Sequence, residues 1–281
     1  MVRKAQLALR RALTGFLLAA LVATLAAAQG RRRGFGGFRG AAVKWATPED
    51  FDGNFLFCRV FFGNAPDGDG DGWGVDYPRA DINLTFRLSE LTKTTVTRHP
   101  QDGYNHVVVR LTDPLLYRCP FVMMTEPGGA FFTDAEAAQL HDYLLKGGFL
   151  WADDFWGDYA FDHWAGQIWK ALPSSQYPII DVPLDHTLFH LLYDIRRIPQ
   201  IPSINFWGRT GQTSERGSRS AVPHVRAILN PDDGHIMVLM THNTDFGDAF
   251  EREGDDHEYF LQFAPEGYAF GVNAIVYSMT H

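Results

Sequence analysis

The sequence predicts an α/β domain in which helices cover both faces of a mainly parallel sheet, a three-layer sandwich. Three near-continuous apolar runs carry this prediction, at residues 55–62, 121–125 and 149–152. Runs without polar alternation are typical of strands that are buried on both faces. Helical patterns separate the runs, and chains that alternate strand and helix form parallel sheets through right-handed crossovers.

The first half of the predicted domain (residues 54–281) contains two strands and a helix. The strand at residues 55–62 ends at Gly63-Asn64. Leu84, Leu88 and Leu91 then recur at helical spacing, and we expect Asp81 to cap the amino end of that helix. The apolar run at residues 121–125 is the next strand.

A second strand-and-helix series follows. Thr133 and Glu136 have the spacing of a capping box, which predicts a helix from there to Lys146. Gly147-Gly148 ends this helix, residues 149–152 form a strand, and residues 161–172 form a further amphipathic helix.

The last third of the chain is less regular. Residues 177–223 are rich in Pro, Gly and Arg and predict short turns and long loops. Residues 225–229 and 235–240 flank a turn and predict a β-hairpin. Residues 270–280 predict a closing helix with Val272, Val276 and Met279 on one side.

The first 28 residues are typical of a secretory signal peptide. Four basic residues precede an uncharged run, residues 12–28, which ends in three alanines. A basic start, an apolar run and small residues before a cleavage point are the parts of such a signal. We therefore expect export to the periplasm or the medium. An uncleaved membrane anchor is the alternative, since 17 residues is near the lower limit for a span.

Residues 29–53 predict a basic, Gly/Arg-rich disordered tail and linker. Through Arg31, Arg32, Arg33 and Arg39 it could contact an anionic membrane surface. Residues 1–39 hold eight basic and no acidic residues, so the rest of the chain has 17 basic and 33 acidic residues. A body this acidic argues against nucleic-acid binding, which depends on neutralising phosphates.

Two cysteines, Cys58 and Cys119, lie in or beside apolar runs. In an exported protein they could form a disulfide. We expect two buried free thiols instead, because the sequence does not place them within bridging distance. Without further Cys or His at ligand spacing they predict no zinc site.

Polar side chains follow several predicted strands, where the carboxyl ends of parallel strands would meet. Ligands of open α/β sheets bind at this edge. The expected cleft residues are Asn64, Asp76, Glu126, Asp153, Asp154, His186, His242 and Asn243. The alternative is that these side chains only satisfy loop backbone and helix amino ends. Asp153 and Asp154 are adjacent, so at most one should enter the cleft directly and the other should cap the next segment.

The loop at residues 67–72 matches the start of a calcium-binding loop. Asp67, Asp69 and Asp71 alternate with glycines, and Asp76 is the fourth candidate ligand for Ca²⁺. The match then fails, because Pro78 stands where a bidentate Glu belongs. A Gly/Asp-rich surface loop without a metal is the alternative, and we expect no other cofactor.

His186 and His190 are four residues apart, a spacing that places metal ligands on one face of a helix. Neither an H-E-x-x-H motif nor a third ligand at a familiar spacing accompanies them. A hydrogen-bonded structural His186 is the favoured interpretation.

An ordered series of motifs resembles the domain-of-unknown-function family 4159, whose members are bacterial and archaeal and usually exported or membrane-associated. The resemblance spans residues 55–280 and rests on GWGVDYP at 72–78, LT at 91–92, PFVM at 120–123, YLLKGGFLWADD at 143–154, DHTLFH at 185–190 and GVNAIVYSMT at 271–280.

This resemblance implies a flavodoxin-like fold, similar to class I glutamine amidotransferase domains. Glutaminases carry a nucleophilic Cys on the turn after a central strand, where this chain has Glu126-Pro127-Gly128-Gly129. We therefore expect no glutaminase activity. The expected function is an accessory module of the cell envelope that binds a partner protein or a small polar ligand. The alternative is an envelope hydrolase with carboxylate and His acid–base chemistry, with or without a metal.

Overall fold

The computed structural model of the protein describes residues 42–99 and 103–281. The predicted signal peptide (1–28), the uncleaved anchor and the arginines of the tail lie outside the described residues. Within the described ranges, no helix is both long and apolar enough to cross a membrane.

A seven-stranded sheet forms the centre of the domain. Its strands in spatial order are β5 (His106–Arg110), β1 (Phe57–Phe61), β6 (Phe121–Thr125), β8 (Phe149–Phe155), β11 (Ile236–His242), β10 (His224–Leu229) and β9 (Ile180–Asp181). The first five are parallel, and β10 is antiparallel to both of its neighbours. Two small ribbons lie outside the sheet: β2 (Gly63–Asn64) with β7 (Ala130–Phe131), and β3 (Arg98–His99) with β4 (Gly103–Tyr104).

Six α-helices are described: α1 (Arg79–Leu91), α2 (Asp134–Leu145), α3 (Gly157–Ala171), α4 (Ile204–Thr210), α5 (Phe246–Glu251) and α6 (His257–Thr280). Apolar residues of α1, α5 and α6 share one core with the sheet, and those of α2 and α3 share the other. The prediction of an α/β three-layer arrangement with a mainly parallel sheet is therefore confirmed.

Alternation along β8 shows how the sheet serves both cores. Trp151 belongs to the α6 side, where its ring lies 5.5 Å from that of Phe270. Leu150 and Ala152 belong to the opposite core with Trp164 of α3. Every residue of β8 is buried, as expected for a strand covered on both faces.

The predicted capping box of α2 is present: Thr133 Oγ1 accepts from the backbone of Glu136, whose carboxylate accepts from the backbone of Thr133. The prediction that Asp81 caps α1 is wrong. That helix begins at Arg79 after Pro78, and Asp81 is buried in its first turn. The closing helix is longer than predicted, because α6 continues through Pro265 in its interior, a residue that usually ends helical patterns.

Part of the segment predicted as a tail lies against the sheet. Trp45 forms a parallel bridge with Val108 of β5, and Lys44 N donates to Tyr77 Oη. The ordered structure therefore begins before residue 54.

Cys58 and Cys119 form a disulfide, so the interpretation as two free thiols is wrong. Cys58 lies in β1 and pairs in register with Val122 of β6, the strand that Cys119 precedes. This adjacency brings the two Cα atoms to 6.1 Å. It depends on strand order, which a single sequence does not reveal.

A buried ion pair joins the sheet to α1. Arg59 of β1 and Asp81 are both fully buried, and Arg59 Nε donates to Asp81 Oδ1 at 3.0 Å. Arg59 Nη1 donates to Thr125 Oγ1 of β6 at 2.7 Å and to the carbonyl of Val75 at 3.0 Å. Because a buried charge without partners is costly, this guanidinium fixes four chain segments together.

We expect Arg59→Met to destabilise the protein by about 3–5 kcal/mol, since it leaves Asp81 as an unpaired buried charge. Urea denaturation followed by circular dichroism measures the change. The matched control is Arg196→Met, which breaks an exposed pair with Asp194 and should cost less than about 1 kcal/mol. The double change Arg59→Met with Asp81→Leu should recover part of the loss. Equal effects of the two single substitutions would contradict the assignment.

Candidate functional site

Four non-glycine residues of the described chain have positive φ: Asp76 (62°), Glu126 (48°), Asp154 (60°) and Asn243 (61°). All four are among the side chains that the sequence predicts for the carboxyl edge of the sheet. Left-handed backbone costs free energy for residues other than Gly and concentrates at functional sites. The strain therefore marks the same edge as the sequence motifs do.

A β-bulge gives Asp154 its direction. In the pairing of β8 with β11, Thr241 lies opposite Asp153 and His242 lies opposite Phe155, so Asp154 is the extra, unpaired residue. Bulges are a common means of redirecting a side chain beside a site. Asp154 Oδ1 accepts from Trp156 Nε1 at 2.8 Å.

Asp153 has a different role from its neighbour. Its carboxylate accepts hydrogen bonds from Thr241 Oγ1 and, at 2.9 Å, from Gly247 N in the first turn of α5. Burial raises the pKa of Asp153 to about 7. Asp153 thus positions α5, and Asp154 faces the other carboxylates.

The edge gathers two groups of buried carboxylates. Asp76, Asp154 and Asp245 place ligand-type oxygens within 4.8 Å of one another, and Asp76, Asp248 and Glu251 do the same. All five residues are at least 94% buried. Asp245 also caps α5, because its Oδ1 accepts from Asp248 N at 2.7 Å.

Asp76 lacks the partners that a buried carboxylate normally has. Its Oδ2 accepts no hydrogen bond. This oxygen lies against Gly247, where any Cβ would collide with it. Among the described residues, no Lys or Arg nitrogen lies within 4.0 Å of Asp76, Asp154 or Asp245.

Crowding raises the affinity of these carboxylates for protons. Burial raises the pKa of Asp76, Asp154 and Asp245 well above the ordinary value, and the carboxylates raise one another's further by like-charge repulsion. For Asp76, attraction to Arg59 opposes this shift. Protons or a bound cation would therefore relieve the repulsion within this group.

Glu126 joins the edge to the loop at residues 67–72. Its Oε2 accepts from the backbone of Asp71 and, at 3.0 Å, from Gly72 N. The loop is also held by an ion pair of 2.8 Å between Asp69 and Arg216. Burial raises the pKa of Glu126 to about 7.

Of the four predicted calcium ligands, only Asp76 belongs to either carboxylate group in the described ranges. Asp67 and Asp71 are exposed on the loop, and Asp69 pairs with Arg216. Asn64 is exposed in β2, and its side-chain amide lies against Gly72.

His186 lies far from the carboxylates. It caps a short 3-10 helix (Thr187–Phe189), and its ring lies 5.7 Å from that of Tyr277. Tyr277 in turn accepts from Ile236 N at the amino end of β11, so His186 lies at the opposite edge of the sheet.

His242 and Asn243 organise α3 and do not join the carboxylate groups. His242 stacks on Phe155 and bonds the carbonyl of Gly157 at 3.0 Å, and burial lowers its pKa to about 4. Asn243 Oδ1 accepts from Gly157 N, and its Nδ2 donates to Val222 O.

Sequence reasoning missed three of the carboxylates. Asp245, Asp248 and Glu251 follow β11 at intervals of three residues, which places them on one face of a short helix. This spacing, with Asp245 as an amino-terminal cap directly after a strand, was the available signal.

Both cysteines of the chain are joined in the disulfide. The turn after β6 carries Glu126 in a left-handed conformation. No thiolate is therefore available for nucleophilic attack.

The model of one protein family, described as Domain of unknown function (DUF4159), matches residues 59–279. A search of curated proteins finds no match to the chain.

We expect Glu126→Gln to flatten part of the pH dependence of stability. Because its folded-state pKa is raised from 4.5 to about 7, Glu126 keeps a proton in the folded protein that the unfolded chain releases. Its contribution to stability is therefore lost as pH rises from 4.5 to 7. Asp69 and Asp71 on the facing loop and Asp154 add like charge.

Relative to wild type, the variant should gain on the order of 1–3 kcal/mol between pH 4.5 and pH 8. Urea unfolding in EDTA-containing buffer measures this difference. The exposed Glu258→Gln should follow the wild-type curve. A difference between Glu126→Gln and wild type that stays constant with pH would count against the assignment.

Proposed function

We infer the function of the protein from its candidate site, because the chain belongs to the family described as Domain of unknown function (DUF4159). We propose that the protein is a divalent-cation-binding domain. Asp76, Asp154 and Asp245 hold the cation at the carboxyl edge of the sheet. The observation that carries the proposal is the meeting of three buried carboxylates without a Lys or Arg partner. Such a group is costly unless protons or a metal neutralise it.

The ligand set selects the class of cation. All three side chains offer oxygen, which hard cations such as Ca²⁺, Mg²⁺ and Mn²⁺ prefer. The oxygens lie within 4.8 Å of one another. Opposite ligands of Ca²⁺ are about 4.6–5.2 Å apart and those of Mg²⁺ about 4.0–4.2 Å apart, so this spacing is compatible with either cation.

The loop with Asp67, Asp69 and Asp71 is a rival place for Ca²⁺. Among the described residues, none of its three carboxylates forms a ligand group with Asp76. The backbone of this loop donates hydrogen bonds to Glu126, and Asp69 forms an ion pair with Arg216. We therefore place the cation in the buried group.

Hydrolysis is the second candidate function. Glu126 follows β6 at the same edge and interacts electrostatically with Asp154 and Asp76. A carboxylate with a pKa of about 7 is matched to general-base work at neutral pH. A cation held by the neighbouring carboxylates would act as a Lewis acid in a metal-assisted hydrolase, whereas a binding module for an envelope protein or polar ligand would need only the cation.

We further propose that the protein is exported and that its fold is flavodoxin-like, similar to class I glutamine amidotransferase domains. The disulfide supports an oxidising compartment. The strand order supports the fold, since the chain runs from β1 to β5 on one side and from β6 through β8 to β11 on the other.

We expect Ca²⁺ or Mn²⁺ to raise the melting temperature of the EDTA-treated protein. A ligand at 100 times its Kd adds about 2.7 kcal/mol to the stability of the native state. For a domain of this size that is a shift of about 5–10 °C. Thermal unfolding, titration calorimetry and elemental analysis of the full chain measure the effect.

Asp154→Asn gives the decisive signature. Without cation it should be more stable than wild type, because one buried acidic group is gone, and it should lose the stabilisation that the cation at Asp76, Asp154 and Asp245 provides. The exposed Asp232→Asn in the β10–β11 turn and the loop change Asp67→Asn with Asp71→Asn should keep the wild-type response. A wild-type protein with no bound cation and no shift would overturn the proposal.

A further inference from the structure

We propose that Asp76 bridges two divalent cations, the second of which is held by Asp248 and Glu251. This inference rests on the proposed first cation at Asp76, Asp154 and Asp245. It adds a second metal site on the other side of the same carboxylate.

Asp76 is the residue common to both carboxylate groups. A carboxylate has two oxygens and can therefore contact a different cation with each. The Oδ2 of Asp76 accepts no hydrogen bond, and the residue is only 2% exposed. No competing donor would have to be displaced from that oxygen.

Glu251 supplies an independent observation. The residue is 1% exposed, and neither carboxylate oxygen accepts a hydrogen bond. Oε2 lies 2.7 Å from Arg252 Nη2 as an ion pair without hydrogen-bond geometry. A buried carboxylate oxygen without a hydrogen-bond donor is costly. Glu251 Oε1 has no donor in the protein, so it is free to coordinate a cation.

The charges of the cluster match two divalent cations. The two groups together contain five carboxylates. Within the described chain, one guanidinium lies within 4.0 Å of these carboxylates: Arg252 pairs with Asp248 and with Glu251. Five negative charges and one positive charge leave four negative charges, which two divalent cations neutralise.

Arg252 also makes the two proposed sites unequal in affinity for a cation. It partly compensates Asp248 and Glu251, whereas Asp154 and Asp245 have no such partner among the described residues. One carboxylate oxygen of Asp248 accepts a hydrogen bond from Arg252 Nε, and the other accepts one from Ile204 N. The second cation therefore binds more weakly than the first.

Metal stoichiometry of the full chain tests the proposal. Titration calorimetry and elemental analysis with Mn²⁺ should show two equivalents in wild type and in the control Asp232→Asn. Glu251→Gln should retain one equivalent, Asp245→Asn should retain at most one, and Asp76→Asn should retain none. Circular dichroism checks that each variant is folded.

A measurement on wild type avoids dependence on the variants. With two equivalents of Mn²⁺ bound, a carboxylate bridge should give a spin-coupled spectrum in electron paramagnetic resonance. Two uncoupled Mn²⁺ signals would overturn the bridge.

The failures are distinguishable. One equivalent in wild type that survives Glu251→Gln and is lost in Asp154→Asn leaves the proposed function intact and overturns the second site. No equivalent in wild type overturns both.

Discussion

The fully buried pair of Arg59 and Asp81 is the interaction on which the rest of the structure depends. A guanidinium without water requires acceptors on every side. Arg59 finds them on α1, on β6 and in the carbonyls of Trp73 and Val75. These contacts fix the backbone immediately before Asp76. The left-handed conformation of Asp76 is thus held by a charge network that lies beneath the carboxylate cluster.

Two neighbouring acidic residues show the contrast between a compensated and an uncompensated buried carboxylate. Asp81 is buried together with the guanidinium of Arg59, which donates hydrogen bonds to both of its carboxylate oxygens. Asp76, five residues earlier in the chain, is equally buried, yet its Oδ2 has no donor and its neighbours are carboxylates. The fold compensates one charge completely and concentrates others without compensation. Asp153 and Gly247 stabilise that arrangement by fixing α5 close enough for Asp76 to touch its backbone.

Much of the sheet and part of the site could be predicted from the sequence. Apolar runs located β1, β6 and β8, and the polar residues after them located Glu126 and Asp154. The remaining carboxylates of the candidate site are brought together by tertiary structure. The bulge that separates the roles of Asp153 and Asp154 arises from pairing with β11. Asp245, Asp248 and Glu251 join the carboxylate groups only because α5 packs against Asp76. The distant position of His186 and the pairing of Cys58 with Cys119 likewise follow from strand order.

The disulfide has a mechanical consequence. Cys58 and Cys119 join β1 to the chain entering β6, the two strands between which the order of the sheet reverses. If the oxidised protein were pulled from its ends, the disulfide would keep the loop between the cysteines, a sequence separation of 61 residues, closed after all strands had separated. The fully extended chain would be about 200 Å shorter than the reduced chain. The two halves of the sheet would thus remain tethered at their seam even when unfolded.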